Sequence, residues 1–342
     1  MLQPASRQSR ARGQALVLFV LTLTAMIGLT GLVIDGSSTY VQRRGMQNAA
    51  DLAAMAAGYA CINNLAGNLT VMPLPPCTTG PNDLTLAADA VAAANGYPTS
   101  INTMVIVTAT PTNGNTAAQI TVSITAPHQN WFSGIFGMAS WNVGTTAAVL
   151  AGIPNEVAGG ALPLLFNADQ CSVRAGSGSA CGTGTKDNPA TFNEPPSGPQ
   201  TIPLDNLTSG YFEFNWTVFC QANGNPCNAN TNLVNGLITG TSPTSQVTIT
   251  LGDLIGPLNA GSHTQLFSAL APFVGGCYPV AMVANNGALQ GFATFCLTSS
   301  VGGSTKQISG YFPSGWTGQN LMIAPNGGTP AFYGTYAINL VN

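Results

Sequence analysis

Charge is what this chain has least of. Only 8 Lys and Arg and 11 Asp and Glu occur among 342 residues, 6% of the total, against roughly a quarter in ordinary soluble proteins. That scarcity excludes an electrostatic nucleic-acid binder, which needs clustered cations to neutralise phosphates. His128 and His263 are its two histidines and no C-x-x-C occurs, so a zinc centre has no ligand set. No Walker A or G-x-G-x-x-G fingerprint is present, since Cys181-Gly182-Thr183-Gly184-Thr185-Lys186 lacks the spacing. The nucleophile elbow G-x-S-x-G is also missing. Disorder is excluded as well, because 45% hydrophobic residues and a net charge of −3 favour collapse.

The few charges are unevenly placed. Arg7, Arg10, Arg12, Arg43 and Arg44 face Asp35 alone in residues 1–44, a local +4, while the rest of the chain carries −7. Between Gln14 and Asp35, residues 15–34 form a charge-free run of twenty, enough for a helix to span a hydrocarbon layer of roughly 30 Å. A cleavable signal is the competing reading. Signal h-regions run about 7–15 residues to an A-x-A-like site, whereas this run is longer and ends Val33-Ile34-Asp35-Gly36. An uncleaved anchor with a cytoplasmic N-terminus is expected, Arg43 and Arg44 weakening the positive-inside asymmetry.

All eight cysteines follow the span, which suits an oxidising compartment. Sequence neighbours would pair as Cys61 with Cys77, Cys171 with Cys181, Cys220 with Cys227 and Cys277 with Cys296, one of 105 connectivities.

Beyond Gly36 an Ala-rich stretch free of proline predicts that the membrane helix continues outward, with Val41, Met46, Ala49, Leu52, Ala53 and Ala56 near one face. Pro73, Pro75 and Pro76 break it. A second helix is predicted over 83–94, its apolar side Leu84, Leu86, Ala87, Val91 and Ala94, capped by Asn95-Gly96. Strands over 101–110 and 118–125 flank an Asn-Gly hairpin connector. Residues 128–138, with Trp131, Phe132, Ile135 and Phe136, read as a short amphipathic helix, and 141–151 as a third strand. After Gly152 short β-branched runs alternate with Gly, Pro, Asn and Thr, apart from one helical stretch at 265–273. The fold class is α+β: arm 1–12, transmembrane helix 13–35, stalk helix 36–68, a small α/β pilin-like module 69–151, and a β-rich disulfide-stapled domain 152–342.

Arg12-Gly13-Gln14-Ala15-Leu16, the span ending Gly31-Leu32-Val33-Ile34-Asp35, Tyr40-Val41-Gln42-Arg43-Arg44 and Gln47-Asn48-Ala49-Ala50-Asp51-Leu52 resemble the N-terminal module of TadE/TadG-like proteins of tight-adherence (Flp) pilus assembly. Ala94-Asn95-Gly96-Tyr97, the hairpin and Trp131-Phe132-Ser133-Gly134-Ile135-Phe136-Gly137 are also similar, so the resemblance covers residues 10–150. It implies a bacterial envelope protein with one helix in the cytoplasmic membrane and its bulk outside. Its implied partners are the membrane, pilus subunits or other assembly proteins, and a homo-oligomer stays open. Members processed like prepilins are cut after glycine and carry Glu at the fifth mature position. Gly13-Gln14 is the candidate cut, yet the fifth residue from Gln14 is Leu18, which argues against a polymerising pilin.

The remaining motifs have plain readings beside sharper ones. Asp35-Gly36-Ser37-Ser38-Thr39 matches a D-x-S-x-[ST] metal loop, but it closes a membrane helix, so capping is the expected role. Thr24, Gly28, Gly31 and Asp35 share a helical face that could admit a second membrane helix or simply pack lipid; Ala15, Leu18 and Ile34 are further residues of the span. Asp253, Ser262 and His263 form a catalytic set only on paper, and Glu156, Glu194 and Glu213 stand alone. Triplets at Asn68, Asn206 and Asn215 are formal glycosylation sites. Tyr211, Phe212, Phe214, Trp216 and Phe219 suggest a strand that is core on one face. A membrane-anchored assembly component without cofactor or metal is expected, with a minor pilin, an adhesin and, last, a surface enzyme as alternatives.

Overall fold

The structure, a computed structural model, describes residues 8–67, 83–100, 102–157, 160–168, 185–193, 214–217, 249–253, 255, 264–284, 287–313, 316–318, 320–325 and 327–341. Helix α1 runs unbroken over Gln8–Gly67, as the proline-free sequence requires. Its segment Ala15–Asn63 is long enough to cross a membrane and holds an 18-residue window of mean hydropathy 2.5. Side chains from Leu16 to Ile34 are exposed, whereas beyond Asp35 the helix packs on a sheet. The outward continuation is therefore docked along its length rather than free-standing.

Its docking face is mostly small: Ala49, Ala50, Ala53, Ala54 and Ala57 are buried, with Met46, Cys61 and Ile62 beside them. The expected stripe is corrected in part, because Val41 and Leu52 are exposed. Size rather than hydrophobicity selects the face. An added Cβ at Gly58 would stand 3.2 Å from Ile338 and 3.3 Å from Val149, an approach that larger residues on this face would prevent.

Helix α2, Asp83–Ala94, buries Leu84, Ala88 and Ala92, spaced one turn apart, and leaves the expected Leu86 exposed. It ends as predicted at Gly96, φ +92°. Tyr97 N–H donates to Ala92 O and Gly96 N–H to Ala93 O, the two bonds of a Schellman cap.

The sheet beneath these helices begins with β1 (Met104–Thr112), β2 (Ala117–Gln129) and β3 (Ser140–Gly152), antiparallel throughout. The hairpin tip places Asn113, Gly114 and Asn115 at φ +50°, +62° and +71°, a left-handed run that Asn and Gly tolerate. The predicted helix over 128–138 is overturned: His128 and Gln129 finish β2, and only Ser133–Phe136 makes a 3-10 turn.

The β-rich remainder contains β4 (Glu156–Val157), β5 (Leu164–Asn167), β6 (Ala190–Asn193), β7 (Phe214–Trp216), β8 (Ile249–Thr250), helix α3 (Thr264–Leu270), β9 (Cys277–Val283), β10 (Leu289–Val301), β11 (Gln307–Tyr311), β12 (Trp316–Thr317), β13 (Leu321–Met322) and β14 (Thr335–Val341). A six-stranded sheet runs β6-β11-β10-β9-β5-β7 and a small one β13-β4-β8. The larger sheet is filled by aromatics: Phe166 lies 5.4 Å from Phe192 and 5.1 Å from Phe295, and Trp216 lies 5.0 Å from Phe267. Phe214 and Trp216 are fully buried, so the described part of that aromatic run is core. Tyr211, Phe212 and Phe219 lie outside the described residues.

Cys277 and Cys296 are opposite one another on β9 and β10 and are disulfide-bonded, the neighbour pairing expected. Cys61 is also in a disulfide. Cys77, Cys171, Cys181, Cys220 and Cys227 lie outside the described residues, as do arm residues 1–7.

The last strand ties the two parts together. β14 pairs antiparallel with β3, Ala337 opposite Gly152, so the first sheet reads β1-β2-β3-β14-β12. Alternation along β14 sends Tyr336 into the core under α1 and Ala337 into the aromatic core. The Tyr336 hydroxyl is buried without a hydrogen-bond partner, and burial pushes its pKa up to about 12.

Tyr336→Phe removes an unsatisfied group at constant packing, so its melting temperature should equal or exceed wild type. A loss above roughly 1 kcal/mol would reveal a partner for the hydroxyl. The folded phenol stays neutral to about 12, whereas the unfolded one ionises near pH 10, so wild type loses stability as pH rises through that window. Denaturant melts at pH 9–12 should show a shallower fall for Tyr336→Phe.

Candidate anchoring site

Asp35 closes the apolar run and is fully buried. Its carboxylate receives three consecutive backbone donors from the β2–β3 connection. Trp131 N–H donates to Oδ1 at 2.9 Å, Phe132 N–H lies 3.2 and 3.1 Å from Oδ1 and Oδ2, and Ser133 N–H donates to Oδ2 at 2.7 Å. A buried carboxylate is costly unless hydrogen-bonded, and three amides supply the bonds without a counter-charge. These bonds explain why residues 128–138 are not one helix. The amides at the start of the 3-10 turn face Asp35, and Trp131, Ile135 and Phe136 are left exposed instead of forming an amphipathic face.

Ser38, Gln42 and His128 extend the contact by one layer. The Ser38 hydroxyl lies 3.1 Å from His128 Nε2, His128 Nδ1 meets Gln42 Oε1, and Gln42 Nε2 donates to Pro127 O at 3.2 Å. Gln42 Oε1 can only accept, so His128 Nδ1 donates to it, while the Ser38 hydroxyl that faces Nε2 also donates to Asp35 O at 2.9 Å. His128 also stacks on Trp141, centroids 5.9 Å apart. Further along, Gln47 Nε2 donates to Asp51 Oδ1 at 2.9 Å and to Thr146 O at 3.2 Å. The helix is thus fastened to β2 and β3 at successive levels from Asp35 to Gly58.

Gly31 belongs to this site. A Cβ there would lie 2.6 Å from Phe132 Cβ, so the Phe132 side chain rests directly on the helix backbone. This corrects the open small-residue face: its Gly31–Asp35 end is filled by the chain's own loop, while Gly28 has open space. Ala15, Leu18 and Ile34 are exposed on the apolar segment, and Gly13 and Gln14 lie in α1. Arg43, Arg44 and Asn48 are exposed and do not join the Asp35 cluster.

Both Asp35 oxygens are occupied by amides of the β2–β3 connection, and among the described residues no three His, Cys, Asp or Glu could hold a metal ion. Asp253 accepts from the Thr250 N–H at 3.0 Å and its hydroxyl at 3.2 Å, closing a local turn. Ser262, His263, Glu194 and Glu213 lie outside the described residues. Asn215 is 7% exposed, which closes that triplet to a glycan; Asn68 and Asn206 lie outside the described residues. Sequence reasoning missed the pairing of Ser38 and Gln42 with His128. The Trp131-Phe132-Ser133 run was visible, but its link to Asp35 spans about a hundred residues and leaves no local pattern.

Asp35→Ala strips the acceptor from three amides, and Gly31→Leu wedges Phe132 away. Hydrogen exchange of residues 131–133, measured by mass spectrometry in micelles, should accelerate by about an order of magnitude or more in each. Asp89→Asn, on the distant face of α2, should leave it unchanged.

No curated protein and no solved structure matches this chain. The segment that carries the apolar run, Asp35 and the small-residue docking face, residues 13–60, matches the family model described as Flp pilus-assembly TadE/G-like.

Proposed function

We propose that this protein is a membrane-anchored, extracytoplasmic structural component of a bacterial Flp/Tad pilus system. The observation that carries the reading is the coincidence of the TadE/G-like match at 13–60 with the apolar helix and the face that docks it to the sheet. Those residues serve one mechanical purpose. A single helix continuous through the apolar run and the folded module holds the β-rich part at a fixed height and orientation over the membrane. The Cys277–Cys296 and Cys61 disulfides support an oxidising location for that part, and Arg7, Arg10 and Arg12 favour the cytoplasm for the other end. Pilus subunits or other assembly proteins are its partners in this reading.

The reading assigns the protein no catalytic role. A groove of 610 Å³ between Tyr59 on α1 and Asn320, Leu321 and Asn339 is lined by no carboxylate, histidine, lysine or cysteine. Leu18, where a polymerising pilin would carry Glu, is exposed on the apolar helix.

Cells sheared to separate filaments from membranes, with N-terminal peptides identified by mass spectrometry in each fraction, test the role. The expected result is the intact Arg7–Arg12 arm in membranes alone. A peptide beginning at Gln14 in the filaments would make the protein a minor pilin instead.

A further inference from the structure

The β2–β3 loop exposes more large apolar surface than any function assigned above uses. Trp131 is 77% exposed, Ile135 78%, Phe136 74% and Met138 56%, while the polar residues of the same loop, Asn130 and Ser133, are buried. A loop that hides its polar side chains and shows its apolar ones to water is costly unless something apolar covers it. Its position says what does. Phe132 sits on Gly31, inside the apolar run, and Asp35 holds the amides of residues 131–133. The loop is therefore clamped at the depth where the helix leaves the hydrocarbon. Leu32, Val33 and Ile34 are exposed on the same turn of α1, so the apolar surfaces of helix and loop adjoin at one level. Above that level Tyr40 and Val41 are exposed, and then Arg43 and Arg44 stand roughly 12–14 Å further along the axis than Asp35, within reach of lipid phosphates by snorkelling.

We propose that the 131–138 loop is a second membrane contact, inserting Trp131, Ile135 and Phe136 into the boundary between headgroups and acyl chains beside the anchoring helix. The occupant is the lipid bilayer itself. Trp prefers this boundary because its ring is apolar and its N–H is polar. An inserted loop on one side of a single helix also stops the folded part from tilting or spinning about the helix axis. The proposal rests on the apolar helix being a membrane anchor.

The test uses the full-length protein in vesicles of phosphatidylcholine and phosphatidylglycerol, with or without acyl chains brominated near the headgroup, a quencher of tryptophan emission. The chain has 4 tryptophans, so Trp131→Phe isolates the loop's share, and Trp131 is exposed enough for the change to leave the fold intact. Bromolipid should quench wild type at least about twofold more than Trp131→Phe. In Ile135→Asp/Phe136→Asp, Trp131 emission should move to the red and lose its quenching. Equal quenching of wild type and Trp131→Phe, in protein that resists alkaline carbonate extraction, overturns the loop insertion and leaves the anchor standing. Release of the protein by carbonate overturns both. Blue-shifted but unquenched Trp131 emission, with cross-linking to a second copy, overturns the lipid occupant in favour of a protein one.

Discussion

Everything outside the apolar helix takes its place from the bond between Asp35 and the three amides of residues 131–133. The apolar run ends at a carboxylate that lies buried, and burial without partners would make that charge expensive. Among the described residues no arginine or lysine compensates it; the backbone does. Amides fixed in a 3-10 turn are already oriented, so they stabilise the carboxylate with little reorganisation, and they carry no charge that would need hydration. The same bond fixes which end of the sheet faces the apolar segment. With the β2–β3 loop held at Asp35, β2 and β3 must run along the helix, meeting Gln42, Gln47 and Gly58 in turn.

The small side chains of α1 follow from that geometry. A helix held against a sheet along its length gains most by close approach, so alanine is favoured where leucine would hold the layers apart. The sheet in turn must be wide enough to cover the helix, and β14 supplies the strand beyond β3. Its two faces belong to different cores, Tyr336 beneath the helix and Ala337 against the aromatic cluster. Buried bonds between Thr335 and Thr294 on β10, at 2.8 and 3.0 Å, lock the junction.

What was legible in the sequence was what depends on neighbouring residues. The length of α1 follows from the absence of proline, the end of α2 from Asn95-Gly96, the hairpin from Asn113-Gly114-Asn115, and the Cys277–Cys296 bridge from proximity along the chain. What was not legible depends on distant partners. The helix expected over 128–138 has adequate propensity and an apolar face, but its amides have a stronger acceptor in Asp35 and its apolar face has no protein to cover. The buried face of α1 was misread at Val41 and Leu52 because periodicity finds apolar residues, whereas the sheet selects small ones. Half of the site was visible, since Gly31 and Asp35 belonged to a recognised pattern. Ser38 and Gln42 also lay within quoted motifs, but their pairing with His128 was not legible, because it exists only in the folded chain.

A chain with so little charge must hold its parts in register by other means, and the same means suit a mechanical part. Ion pairs are weak at surfaces and screened by salt; backbone bonds to Asp35, close Ala packing, the cross-strand Cys277–Cys296 bridge and interlocked Phe rings are not. Load on the β-rich part reaches α1 through β14 and β3, whose antiparallel strands lie against the helix near Gly58. Pulling along the helix axis therefore shears several backbone hydrogen bonds together instead of unzipping them one at a time. In the anchored reading proposed above, tilting is resisted differently, because a lone helix in a bilayer can lean at small cost. Resistance to tilt then needs a second point of contact off the axis, and the loop held by Asp35 and Gly31 is placed to supply it in that reading.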